Sequence, residues 1–254
     1  MAGVSFDLHG RTALITGGTR GIGRALAEGV GAAGARVVIT GRTKEGVDEA
    51  VDGLRALQID ATGVAWDVTE HERAQEIVDA VRAEHGALDI VINNAGIIER
   101  APAAEFPLET WQRVLTTNLT GAFVLSQAAG RAMIDRGYGR IINMASVLGF
   151  SGGRNVVAYT TAKGGLIQLT RSLAAEWSRH GVTVNAIAAG YIATELTAEL
   201  RADPDRAQGL LSRIPAGRWG TGEDLVGATV FLSSDASSYV TGSVLAVDGG
   251  WMAA

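Results

Sequence analysis

The residue order predicts an α/β fold, a doubly wound, seven-stranded parallel sheet with helices on both faces. Seven short apolar, β-branched runs alternate with stretches of helical spacing along the 254 residues. Such alternation builds a parallel sheet wrapped by its own crossovers. A glycine-rich turn follows the first run directly, at the point where a strand of this architecture hands over to a helix.

Residues 12–16 (TALIT) are the first strand, and GGTRGIG opens a helix whose buried stripe is Ile22, Leu26 and Val30. Residues 36–40 (RVVIT) are the second strand and complete a βαβ unit. A helix over 44–57 leads to a strand at 63–66, and a helix over 70–84 to a strand at 89–93. The long helical segment 107–135 then leads to a strand at 139–144. Helix 157–180, strand 183–188, a polar helical stretch 194–212, helix 222–232 and strand 243–247 complete the pattern. No linker or repeat divides it, so 1–254 reads as a single-domain Rossmann fold. Segment 191–224 is longer than an ordinary connection and is expected to be a lid over a site.

Composition narrows the function. A formal net charge of −5 gives no electrostatic case for nucleic acid. With no cysteine there is neither a disulfide framework nor a thiolate metal site, and no metal is called for. The apolar runs are too short to cross a membrane, and the N-terminus lacks the pattern of a signal peptide. A cytoplasmic protein is expected.

Gly17, Gly21 and Gly23 sit between a strand and a helix. There the backbone can approach a pyrophosphate and offer it the unpaired N–H groups of the helix start. The turn residues Gly17, Thr19, Arg20, Gly21, Ile22 and Gly23 are therefore candidates for binding a dinucleotide, the alternative being a tight structural turn. The second strand ends in Gly41–Arg42, with no carboxylate to hold a ribose 2′-hydroxyl. Arg42 and Arg20 can instead meet a 2′-phosphate, which favours NADP(H) while leaving NAD(H) possible. Two solvated surface arginines are the alternative. Asp67 and Val68, at the third strand end, can receive the adenine, though Asp67 also suits a helix cap. Asn94, Ala95 and Gly96 are small enough for close cofactor approach.

The candidate chemistry lies in SVLGFSGGRNVVAYTTAK, residues 146–163. Tyr159 and Lys163, four apart, share one face of a helix. A phenol titrates near pH ~10, and a neighbouring cation favours its ionised form. Ser146 can hydrogen-bond the substrate oxygen from a strand end. Taken alone, such a Tyr–Lys pair also suits a half-buried helix face.

Together TGGTRGIG (16–23), NNAG (93–96), Asn118, Ser146, YTTAK (159–163) and AGYIAT (189–194) resemble the short-chain dehydrogenase/reductase family over essentially the whole chain. The resemblance implies a nicotinamide-dependent oxidoreductase that interconverts a secondary alcohol and a ketone. It makes Tyr159 the general acid/base and Ser146 the group that polarises the carbonyl. Lys163 is implied to bind the nicotinamide ribose and lower the phenol pKa, and Asn118 to maintain a proton-relay water. Gly190, Ile192 and Thr194 are implied to contact the nicotinamide amide, with Ala189 where the family usually has proline. The loop is expected to be looser for that change. The resemblance also implies a homotetramer.

LRAD (200–203), RIPAGRWG (213–220) and AVDGGW (246–251) are similar to sugar-acid dehydrogenases of this family that act on deoxy-keto-gluconates. Variants of the last two stretches also occur in 3-oxoacyl-[acyl-carrier-protein] reductases. Arg100 and Arg154 can each anchor a substrate carboxylate. The alternatives are surface arginines or a salt bridge between Glu99 and Arg100. A 3-oxoacyl-[acyl-carrier-protein] reductase and a non-catalytic nucleotide-binding sensor remain rival readings.

Overall fold

The structure, a computed structural model, describes residues 4–253; residues 1–3 and 254 of the expected 1–254 domain lie outside the described part. Its strands are β1 (Thr12–Ile15), β2 (Arg36–Gly41), β3 (Ala61–Ala65), β4 (Ile90–Asn93), β5 (Gly139–Ser146), β6 (Val182–Ala189) and β7 (Val244–Val247). They form one sheet in the order β3-β2-β1-β4-β5-β6-β7. Every neighbouring pair is parallel.

The strands' sequences explain the layering. A strand covered on both faces can be apolar throughout, and β1, β4, β5 and β6 are buried at every position. Successive residues still point to opposite faces. Ala13, Ile15, Ile90, Ile92 and Ile142 meet Leu26 and Val30 of helix α1 (Gly21–Ala32) and Leu232 of helix α9 (Val226–Ser233). Leu14, Val91, Ile141 and Val184 face the other way. They pack on Ile77 of α3 (Ala74–His85), Leu125 and Met133 of α5 (Gly121–Arg136), and Leu173 of α6 (Val157–Trp177). Helix α2 (Lys44–Ala56) adds Val47, Val51 and Leu54 to the first layer.

Because β4 returns beside β1, the strand order reverses between them. In an open α/β sheet the ligand crevice lies at the strands' C-terminal ends, at such a reversal.

The seven strands and their order of alternation agree with the sequence expectation, and the differences are local. Strand β3 begins at Ala61, two residues earlier than expected. The single helix expected over 107–135 is α4 (Leu108–Leu115), a π-helical turn (Thr116–Thr120) and α5. The segment expected to be a lid, 191–224, contains two short helices, α7 (Ala198–Ala202) and α8 (Pro204–Leu211). Pro204 separates them: it lacks an N–H, so it starts a helix readily, and Asp203 caps that start by accepting from the Arg206 N–H at 3.1 Å.

Candidate active site

A cleft of about 1290 Å³ opens at the C-terminal edge of the sheet, and the glycine turn forms one wall. Gly17, Thr19, Arg20, Gly21, Ile22 and Gly23 all line it. A Cβ on Gly23 would stand 2.1 Å from the Gly17 carbonyl oxygen, so only glycine lets α1 begin this close to the turn. Asn94 braces the same turn, its Nδ2 donating to Thr16 O at 2.9 Å and Gly17 O at 3.1 Å. The Thr16 hydroxyl accepts from the N–H groups of Asn94 and Ala95, each at 3.0 Å. The unpaired N–H groups of the α1 start thus face a rigid concavity that suits a phosphate.

Arg42 is exposed on the rim of the cleft beyond β2 and pairs with no acid among the described residues. Arg20 ion-pairs with Glu195 of the lid. Asp67 serves its own turn through Oδ1, which accepts from the Thr69 N–H (2.9 Å) and hydroxyl (2.8 Å); the residue also lines the cleft, beside Val68. Between the glycine turn and Arg42, the buried Thr40 hydroxyl lines the cleft and has no hydrogen-bond partner. An unsatisfied buried hydroxyl costs free energy unless a ligand meets it. These groups fit a phosphorylated dinucleotide.

The candidate acid–base residues Ser146, Tyr159 and Lys163 line the same cleft. Ser146 ends β5, buried, and accepts from the Leu148 N–H at 3.1 Å. The short turn after it is pressed onto α6: a Cβ on Gly149 would stand 2.8 Å from Ile167 Cδ1 and 2.9 Å from the Lys163 carbonyl oxygen. That close approach brings the end of β5 alongside Tyr159 and Lys163 on α6. The Lys163 ammonium lies 5.6 Å from the centre of the Tyr159 ring and donates to the Met144 carbonyl at 2.5 Å.

Burial pushes the Lys163 ammonium down to about 8. Burial also pushes the Tyr159 phenol up, and the Ser146 hydroxyl and the Arg100 guanidinium oppose that rise. Arg100 is thus a cation near the phenol that the sequence did not point to in that role, in addition to the Lys163 ammonium one turn along the helix.

Asn118 is buried in the π turn and not merely inside a helix. The turn contains a bond from the Gly121 N–H to the Thr116 carbonyl five residues back. The Asn118 side chain is tied to one backbone: Oδ1 accepts from the Ile97 N–H and Nδ2 donates to the Ile97 carbonyl, both at 2.8 Å. It fixes the loop after β4, including Gly96, against the helix.

Gly190, Ile192 and Thr194 line the cleft after β6. This loop is pinned despite Ala189, since the Gly190 N–H donates to Val247 O at 3.0 Å and the Ala193 N–H to Gly220 O at 2.8 Å. The alternative of a Glu99–Arg100 bridge is not what the structure has. Glu99 pairs with Arg113 at 2.9 Å, which leaves Arg100 facing the cleft without a carboxylate partner. Arg154 is exposed at the rim. Three wall residues escaped the sequence reading as side chains: Tyr191, Arg213 and Trp251. The available signal was the pairing of arginines with Trp219 in RIPAGRWG and the tryptophan that ends AVDGGW.

A phosphate-accepting turn, a phenol and an ammonium on one wall, and an unpaired guanidinium opposite are what a dinucleotide-dependent oxidoreductase needs. A family profile described as Enoyl-(Acyl carrier protein) reductase matches residues 17–252. The chain is 46% identical over 245 residues to gluconate 5-dehydrogenase of Gluconobacter oxydans (strain 621H), covering 96% of each protein. It is also 46% identical over 248 residues to 2-dehydro-3-deoxy-D-gluconate 5-dehydrogenase of Bacillus subtilis (strain 168), covering 98% of this chain and 97% of that one. Among solved structures, a gluconate 5-dehydrogenase from Burkholderia cenocepacia J2315 superposes with a TM-score of 0.96 at 41% identity, covering 99% of this chain and 98% of that one. The chain belongs to the short-chain dehydrogenase/reductase family, and it is an NAD(P)-dependent enzyme acting on CH–OH groups.

Proposed function

We propose that the protein interconverts a secondary alcohol and a ketone on a gluconate-type sugar acid, with NADP(H) as the favoured cofactor. The observation that carries this reading is the convergence of Ser146, Tyr159 and Lys163 at a cleft end that also holds the unpaired Arg100. A carboxylate wants a cation, and a polyol wants polar walls. The relatives named for gluconate and deoxy-gluconate dehydrogenation support the substrate class. The Burkholderia structure, in complex with NADP and tartrate, supports both the cofactor and a hydroxy-acid ligand.

Bound in the cleft, the nicotinamide would supply or accept the hydride. Tyr159 gives its phenolic proton to the carbonyl oxygen in reduction and takes it back in oxidation. Ser146 donates a hydrogen bond to the same oxygen, where negative charge develops. Lys163 holds a positive charge under the ribose side of the site, and Asn118 keeps the π turn open for a relay water. Arg42, with Arg20, holds the 2′-phosphate; Gly190, Ile192 and Thr194 frame the nicotinamide amide. Arg100 and Arg154 attract the acid.

The deciding experiment is a panel of 5-keto-D-gluconate, 2-dehydro-3-deoxy-D-gluconate and an acetoacetyl thioester, each with NADPH and with NADH. Turnover of a keto-gluconate with NADPH is expected. Turnover of the thioester alone would instead assign a 3-oxoacyl-carrier reductase, and tight NADPH binding without any turnover a sensor.

The same reading includes a cytoplasmic homotetramer. Among the described residues no helix is long and apolar enough to cross a membrane. Family resemblance implies that the helices containing Asn118 and Tyr159 pair between subunits, with the last strand near another interface; Leu108, Phe123, Leu245 and Met252 are exposed apolar side chains on or beside α4, α5 and β7. Light scattering should give the mass of four chains, and a monomer would refute the assembly.

A further inference from the structure

The cleft wall opposite the glycine turn carries a cation fixed on an aromatic shelf. Tyr191 packs on Trp251 with ring centres 4.6 Å apart and meets Trp219 edge-on at 5.7 Å. Trp251 is buried against Val147 and Ile214 and so cannot swing. The Arg213 guanidinium lies 4.1 Å from the centre of the Trp251 ring. A guanidinium stacked in this way keeps its donors in one plane, with its edge free for a bidentate carboxylate. Two other arginines of this region are engaged: Arg218 grips Asp224 with two bonds of 2.7 Å, and Arg201 donates to the Thr194 carbonyl. Arg213 has no acid partner among the described residues, and it lines the same cleft as Tyr159.

Arg100 opposes the rise of both the Tyr159 and the Tyr191 phenol, whereas Arg213 opposes that of Tyr191, with which it shares the Trp251 ring.

We propose that Arg213, seated on Trp251, binds the substrate carboxylate. The inference rests on the sugar-acid reading above. A guanidinium held on a ring and without an acid partner among the described residues is placed to pair with an acid that enters the cleft.

The test compares Arg213→Met, which keeps an aliphatic stem on the ring, with Arg213→Lys, which keeps the charge. Calorimetry measures D-gluconate binding to the protein saturated with NADP⁺. Steady-state rates compare 5-keto-D-gluconate with its neutral carboxamide. Arg213→Met should raise Kd and KM for the acids on the order of 10- to 100-fold. It should leave kcat, NADPH binding and the carboxamide near their wild-type values, with Arg213→Lys recovering part of the loss. Equal weakening of acid and carboxamide would mean a structural role and would overturn the proposal, as would unchanged acid binding. If the wild type neither binds nor reduces any sugar acid, the substrate reading fails and takes this inference with it. That result differs visibly from wild-type binding that Arg213→Met leaves intact.

Discussion

Lys163 and Tyr159 share a face of α6, the lysine ammonium donating to the Met144 carbonyl at 2.5 Å while standing 5.6 Å from the centre of the tyrosine ring. Burial lowers the ammonium to about 8 and raises the phenol. The lysine therefore loses its proton first as pH rises. The basic limb of kcat/KM for ketone reduction should fall near pH 8, and Lys163→Arg should move that limb to higher pH. A limb unmoved in the variant would assign it to another group.

The same shift has a stability consequence of definite sign. Between about 8 and lysine's ordinary 10.5 the unfolded chain holds a proton on this group that the folded one has released. Stability from this residue therefore rises with pH across that window, and the cost is fully present below 8. The difference in Tm between Lys163→Met and wild type should favour the variant at pH 7 and shrink toward pH 10.

Tyr159→Phe should bind NADPH as the wild type does and lose turnover by roughly 10²-fold or more, since only the proton donor is removed. Calorimetry and steady-state rates together check this. Normal turnover in the variant would refute the assigned acid.

Arg42→Ala should raise KM for NADPH by about tenfold or more, the worth of a lost charge-assisted bond, and leave NADH little changed. Arg20→Ala should do less, because Glu195 already competes for that guanidinium. Equal effects of Arg42→Ala on both cofactors would sink the 2′-phosphate assignment.

Asn118→Ala removes two buried 2.8 Å bonds to Ile97, and it should cost about 2 kcal/mol of stability. Urea unfolding reads that number, and a fall in kcat beyond the stability loss would show the loop after β4 losing its register.

The fold was legible because its central strands are buried on both faces. Runs such as TALI and IVIN can be little else when glycine turns and helical spacing flank them. The acid–base set was legible because Ser146, Tyr159 and Lys163 fall within one strand–turn–helix. The π turn was hidden, since one extra residue barely disturbs the apolar repeat through 107–135, and what reveals it is the bonding of Asn118 to a distant loop. Arg213, Tyr191 and Trp251 come from three segments that only tertiary packing unites. Likewise, nothing in the order Glu99–Arg100 says that the acid turns to Arg113.

The π turn also constrains how this chain can change. Because the wide turn already absorbs its extra residue, deleting one residue there and restoring ordinary winding would leave α5 in nearly its present phase relative to α4. Leu125, Ala129 and Met133 would stay in the core, and the loss would fall on Asn118 and its two bonds to Ile97. The added residue therefore serves the loop after β4 and not the packing of the helix that carries it.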